Sequence, residues 1–141
     1  MAALLLVASE FTAVASVDIA NGSCEVIQDT DPALADRCEL SGLERNGGAF
    51  LLLAALAAVM AWGAGIGRSR PAAAALAVIG VLVLGWALLV YLPVTNDTGA
   101  LGRNFDGAFA SAGPGFTLEL LGGALALVAG LAGLVRRPSA A

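Results

Sequence analysis

The stretch PAAAALAVIGVLVLGWALLVYL, residues 71–92, contains no charged side chain. A helix needs about 20 mostly apolar residues to cross roughly 30 Å of hydrocarbon. This one is long enough, and Pro71 stands in its first turn, where a missing N–H costs nothing. Two further stretches approach it in length and character, at about 48–66 and 116–135. A fourth runs over about 2–19 and is interrupted by Glu10, with Asp18 near its end.

The whole composition agrees with these runs. The chain has 141 residues, of which 59% are hydrophobic and 13% charged. Soluble domains carry about 25% charged residues. A chain this short cannot bury so much apolar surface in its own core. The sequence therefore predicts an all-α fold: an integral membrane four-helix bundle forming a single membrane domain over residues 1–141. Its outer loops are expected at about 20–47 and 93–115.

The arginines predict the orientation. Arg68 and Arg70 lie in the short link between the second and third stretches, and Arg136 and Arg137 follow the fourth. Short loops rich in arginine stay on the cytoplasmic side. Two spans separate the clusters, so both fall on that side, and both termini are expected in the cytoplasm of a multi-pass cell-membrane protein. Trp62 and Tyr91 suit the interfacial aromatic belt. Trp86 lies deeper and is expected to pack between helices or against lipid.

A cleaved signal peptide is disfavoured, because the first stretch lacks a positively charged start. The absence of any early Arg also leaves open a start upstream of Met1. Nucleic-acid binding is disfavoured by a net charge of −4 and by the lack of a basic stripe. The chain has no His, and all seven of its cations are arginines. That removes the commonest general base and the Schiff-base residue together.

Cys24 and Cys38 are the two cysteines, and both fall in the first expected outer loop. An even pair on an oxidising face predicts a disulfide closing a small extracytoplasmic cap. A redox role is disfavoured by the wide spacing and acidic surroundings. Asp29, Asp31, Asp36 and Glu39 lack the ordered spacing of a calcium loop and are expected to form a solvated acidic face. Asn21-Gly22-Ser23 and Asn96-Asp97-Thr98 match the glycosylation sequon and bear only on which side is outside.

Glu10 and Glu119 are the candidate membrane-buried acids. An ionisable residue within an apolar span is a functional-site hypothesis by default. Glu10 is a candidate proton or cation carrier, with Glu119 as a second carboxylate. Against this stand plainer readings: Glu10 protonated and bonded to Ser9, Thr12 or a backbone carbonyl, and Glu119 at the favourable N-terminus of its helix. No basic residue inside a helix offers itself as a partner. Gly122, Ala126 and Gly130, and likewise Ala57, Ala61 and Gly65, recur every four positions, a pattern that lets membrane helices approach closely.

Ser69-Arg70-Pro71-Ala72-Ala73, Asp97-Thr98-Gly99 and Gly115-Phe116-Thr117-Leu118-Glu119 give the chain a resemblance to small bacterial four-helix membrane proteins of unknown function. The resemblance covers most of the chain and implies topology alone. Claudin-like proteins also have four helices and a disulfide in the first outer loop, but their Trp-containing signature is missing here. Quinone-linked thiol oxidases need a Cys-x-x-Cys pair and more cysteines. The resulting expectation is a structural or accessory, non-enzymatic membrane protein without a cofactor. Its expected partners are the lipid bilayer and either a membrane protein or further copies of itself, not nucleic acid. The alternative is a small oligomeric proton- or cation-linked transporter or channel using Glu10.

Overall fold

The computed structural model describes residues 1–18, 39–94 and 109–135. In chain order these form α1 (Ala2–Glu10), β1 (Ala13–Asp18), β2 (Glu39–Ser41), α2 (Gly42–Asn46), α3 (Ala49–Gly65), α4 (Arg70–Val94), β3 (Phe109–Ala112) and α5 (Pro114–Val135). Two of these helices, α4 and α5, are long and apolar enough to cross a membrane. Helix α3 is equally apolar but has 17 residues.

The all-α four-helix bundle expected from the sequence is therefore not what forms. The first apolar stretch divides into a nine-residue helix and a strand. Nine residues rise about 14 Å, less than half of the hydrocarbon thickness. The helix stops because its last carbonyls are taken by hydroxyls. Ser9 Oγ donates to Leu6 O at 2.8 Å, and Thr12 Oγ1 lies 3.2 Å from both Ala8 O and Ser9 O. Such side-chain bonds offer the backbone an alternative to continued helix. Beyond them, Ala13-Val14-Ala15-Ser16-Val17-Asp18 supplies the β-branched residues a strand favours.

The three strands form one antiparallel sheet in the order β2-β1-β3. Ala13 faces Ser41 while Ala15 faces Leu40, so β1 carries an extra residue at Val14. A bulge of this kind bends the strand. Here Val14 and its neighbour Ala15 are both buried. Val14 packs with Ala87 of α4 and Phe116 of α5, which seats the sheet on the ends of these helices. The second expectation, a cap closed by Cys24 and Cys38, falls on residues outside the described ones. The described part of the cap is closed by this sheet, with no disulfide among the described residues.

Helix α2 begins at a capping box. Ser41 Oγ accepts from Glu44 N at 3.3 Å, and Glu44 Oε2 accepts from Ser41 N at 3.1 Å. Gly47 (φ 59°) and Gly48 (φ 78°) then turn the chain into α3 through left-handed backbone, which glycine adopts without penalty. At the opposite end, Ser69 Oγ accepts from Ala72 N at 3.4 Å and starts α4.

Helices α4 and α5 run antiparallel and nearly touch along their backbones. A Cβ built on Gly80 would lie 2.7 Å from Gly123 O, and one on Gly130 would lie 2.7 Å from Ala73 O. Gly122 faces the other way and receives Leu6 of α1. The small face expected on α5 is therefore divided between two neighbours. On α3 only Ala57 of the expected set is buried; Ala61 and Gly65 are open. The main core joins Leu6, Phe50, Ala54, Ala57, Leu76, Ile79, Val83 and Ala126 from the four longer helices.

Candidate functional site

Beneath the sheet, the ends of five helices gather the polar residues that the apolar runs had interrupted or flanked. Glu10 closes α1, Asn46 closes α2, Phe50 opens α3, Trp86 lies on α4 and Glu119 lies in the second turn of α5. Glu10 is 0% exposed and Glu119 is 2% exposed.

Each contact has a local cause. Helix α3 starts at Gly48, which has no side chain to cap it. Its orphan donors need an acceptor from elsewhere. Glu10 supplies one: Phe50 N–H donates to Glu10 Oε1 at 2.9 Å. Gly42 makes the approach achievable, since a Cβ there would lie 2.8 Å from Glu10 Cα. The expected partners of Glu10, namely Ser9, Thr12 and a backbone carbonyl, are not the ones found. Ser9 and Thr12 turn to carbonyls of α1 instead.

Asn46 links two helices. Trp86 Nε1–H donates to Asn46 Oδ1 at 3.2 Å, and Asn46 Nδ2 donates to Glu119 Oε1 at 3.0 Å. The indole is a donor only, so the amide oxygen must face it, and the NH2 must face the carboxylate. That settles Glu119 Oε1 as an acceptor. Trp86 keeps an exposed ring while its polar tip is tied down.

The two acids lie within electrostatic reach of one another, and Arg45 of α2 lies within reach of Glu119. Arg45, expected in a loop, is instead a basic residue within the short helix α2. Glu10 Oε2 is buried and receives no hydrogen bond. Among the described residues no group of three or more Asp, Glu, His or Cys is placed to hold a metal ion. The cluster is built to hold charge and hydrogen bonds at a helix junction.

Cys24, Cys38, Asp29, Asp31, Asp36, Asn21 and Asn96 lie outside the described residues. Glu39 is exposed on β2. The roles of Asn46 and Trp86 were missed. Asn46 had signalled only a chain break before Gly47, and nothing in a single sequence pairs it with residues 40 and 73 positions away.

Comparison with known proteins returns no likeness: no family model matches the chain, and neither a curated protein nor a solved structure matches it significantly.

Proposed function

We propose that this is an integral membrane protein with a structural or accessory role, holding a small sheet-capped head against the bilayer surface. The observation that carries the reading is the apolar exterior of its long helices. The core helix of a water-soluble protein buries its apolar residues and turns polar ones outward. In the apolar windows of α4 and α5 only 44% and 28% of residues are buried. Leu52, Leu56, Val59 and Trp62 of α3, Ile66 just beyond it, Val78, Val81, Leu82 and Leu89 of α4, and Leu121, Val128, Leu131 and Val135 of α5 are all exposed. Soluble monomers rarely expose contiguous apolar patches above a few hundred Å². Lipid is the medium that suits such a surface.

The orientation follows the arginines. The turn Ile66–Ser69 and the C-terminal end of α5 face the cytoplasm, and the sheet and the acid cluster lie at the outer face. An accessory role is favoured by Ala58, Ala61 and Gly65, small residues exposed together on α3, where another helix can approach closely.

Purification in mild detergent, with mass spectrometry of what co-purifies, tests the reading. The protein is expected to stay in membranes washed with alkaline carbonate and to leave detergent extracts with a stoichiometric partner. Release by carbonate would end the membrane reading. A lone homo-oligomer would end the accessory one and favour a second reading, a small oligomeric transporter. That reading rests on two buried acids, Glu10 and Glu119, within electrostatic reach of one another, and flux lost in Glu10→Gln would be its signature.

A further inference from the structure

We propose that the Glu10–Glu119 pair is a proton-binding site, with one proton held on Glu10 Oε2 at neutral pH and directed toward the Glu119 carboxylate. The inference does not rest on the membrane reading or on transport, because α1, α2, α3 and α5 of the chain itself enclose Glu10.

The first argument is a count of charges. The cluster brings together two carboxylates and one guanidinium, Arg45. Glu44 is engaged with Ser41 on the exposed side of α2. Helix α3 carries no charged residue, and Glu119 is the only one on α5. Asp18 lies at the far end of β1, and Glu39 is exposed on β2. Among the described residues, the enclosed set is therefore one positive charge short.

The second argument is the oxygen without a donor. Glu10 Oε1 accepts from Phe50 N–H, while Oε2 is buried and accepts nothing. An ionised carboxylate in that position leaves half of its charge uncompensated, which is expensive in a dry site. A carboxylic acid does not. Its carbonyl oxygen keeps the bond from Phe50, and its hydroxyl becomes a donor. The acceptor we assign to it is Glu119, the other buried acid and within electrostatic reach of Glu10, whose own Oε1 is fixed as an acceptor by the Asn46 amide. Two carboxyl groups sharing a site and a single proton is the usual outcome when like charges meet away from water.

The third argument concerns what else could supply the charge. A metal cation wants about six oxygen ligands. The Asn46 oxygen is taken by Trp86, and its NH2 faces Glu119, which repels a cation. No third acid joins the pair among the described residues. A proton needs no such ligand set.

Infrared spectroscopy of the full-length protein in detergent reads the site directly, through the carbonyl stretch of a protonated carboxylic acid. The wild type at pH 7 is expected to show this band at one group per chain, and to lose it as the pH is raised. Glu10→Gln is expected to abolish it. Glu119→Gln, which removes the neighbouring negative charge, is expected to keep the band but move its loss to lower pH. No band in the wild type would overturn the proposal without recourse to any variant. A band that survives Glu10→Gln, or one displaced by sodium at constant pH, would overturn it equally.

Discussion

Glu10 accepts the amide N–H of Phe50 across 2.9 Å, so that the last residue of α1 completes the first turn of α3. The two residues are 40 positions apart, and the bond is buried. It makes the packing of α1 a condition for the start of α3.

Glu10→Ala and Glu10→Gln should therefore part company. Alanine leaves the Phe50 N–H without an acceptor and opens a void, at a cost of about 2–4 kcal/mol. Glutamine keeps an acceptor for Phe50 and should cost about 1 kcal/mol or less. Unfolding of the detergent-solubilised protein separates the two; equal losses would mean that the bond does not support α3.

Asn46→Asp adds a carboxylate beside Glu119 and removes the NH2 that holds it. Destabilisation is expected, greatest at alkaline pH, where both carboxylates are ionised. It should shrink on acidification as the repulsion is neutralised. In a Trp62→Phe background the fluorescence of Trp86 should also shift, because its indole N–H then donates to a charged carboxylate oxygen in place of the neutral amide oxygen. An unshifted spectrum with unchanged stability would contradict the Trp86–Asn46–Glu119 chain.

Gly80→Ala and Gly85→Ala form a matched pair on α4. At Gly80 the new methyl meets the backbone of Leu127 and Gly123, whereas at Gly85 it meets nothing within 4 Å. The first should cost about 1–3 kcal/mol through forced separation of α4 from α5. The second should be neutral or stabilising by up to about 1 kcal/mol, as helix propensity suggests. Thermal melts of the two variants give the comparison, and similar melting points would show that the close glycine contact is not what joins these helices.

Sidedness can be read with single cysteines in a Cys24→Ser/Cys38→Ser background. Arg68→Cys should react with a membrane-impermeant maleimide only after the cytoplasmic face is exposed. Phe109→Cys should react from outside. The reverse pattern would invert the proposed orientation.

Much of the helical skeleton was legible. The apolar stretches 48–66, 71–92 and 116–135 fall on α3, α4 and α5 because uninterrupted apolar length is a local property of the chain. Residues 2–19 misled for the same reason. Ala13-Val14-Ala15 is apolar enough to extend a helix, and what makes it a strand is pairing with Glu39–Ser41 and Phe109–Ala112, which no local window contains. The acids were legible as anomalies in apolar runs. Their setting was not, since Asn46 and Trp86 are unremarkable alone and acquire meaning only when α2, α4 and α5 meet. On α3 the four-residue spacing of small side chains did not separate a buried face from an open one, because alanine is abundant on both.

The sheet also imposes an order on biosynthesis. Ser16 and Ser111, whose hydroxyls meet at 2.9 Å, are 95 residues apart. At 5–20 residues per second, the ribosome delivers Phe109–Ala112 roughly 5–20 s after β1 has emerged. During that interval one edge of β1 has no strand beside it, and Val14 lacks the Phe116 ring that covers it in the finished fold. The cap is thus among the first segments translated and among the last completed. A ribosome stalled before residue 109 would leave the nascent chain with an unfinished edge on show to whatever quality control inspects it.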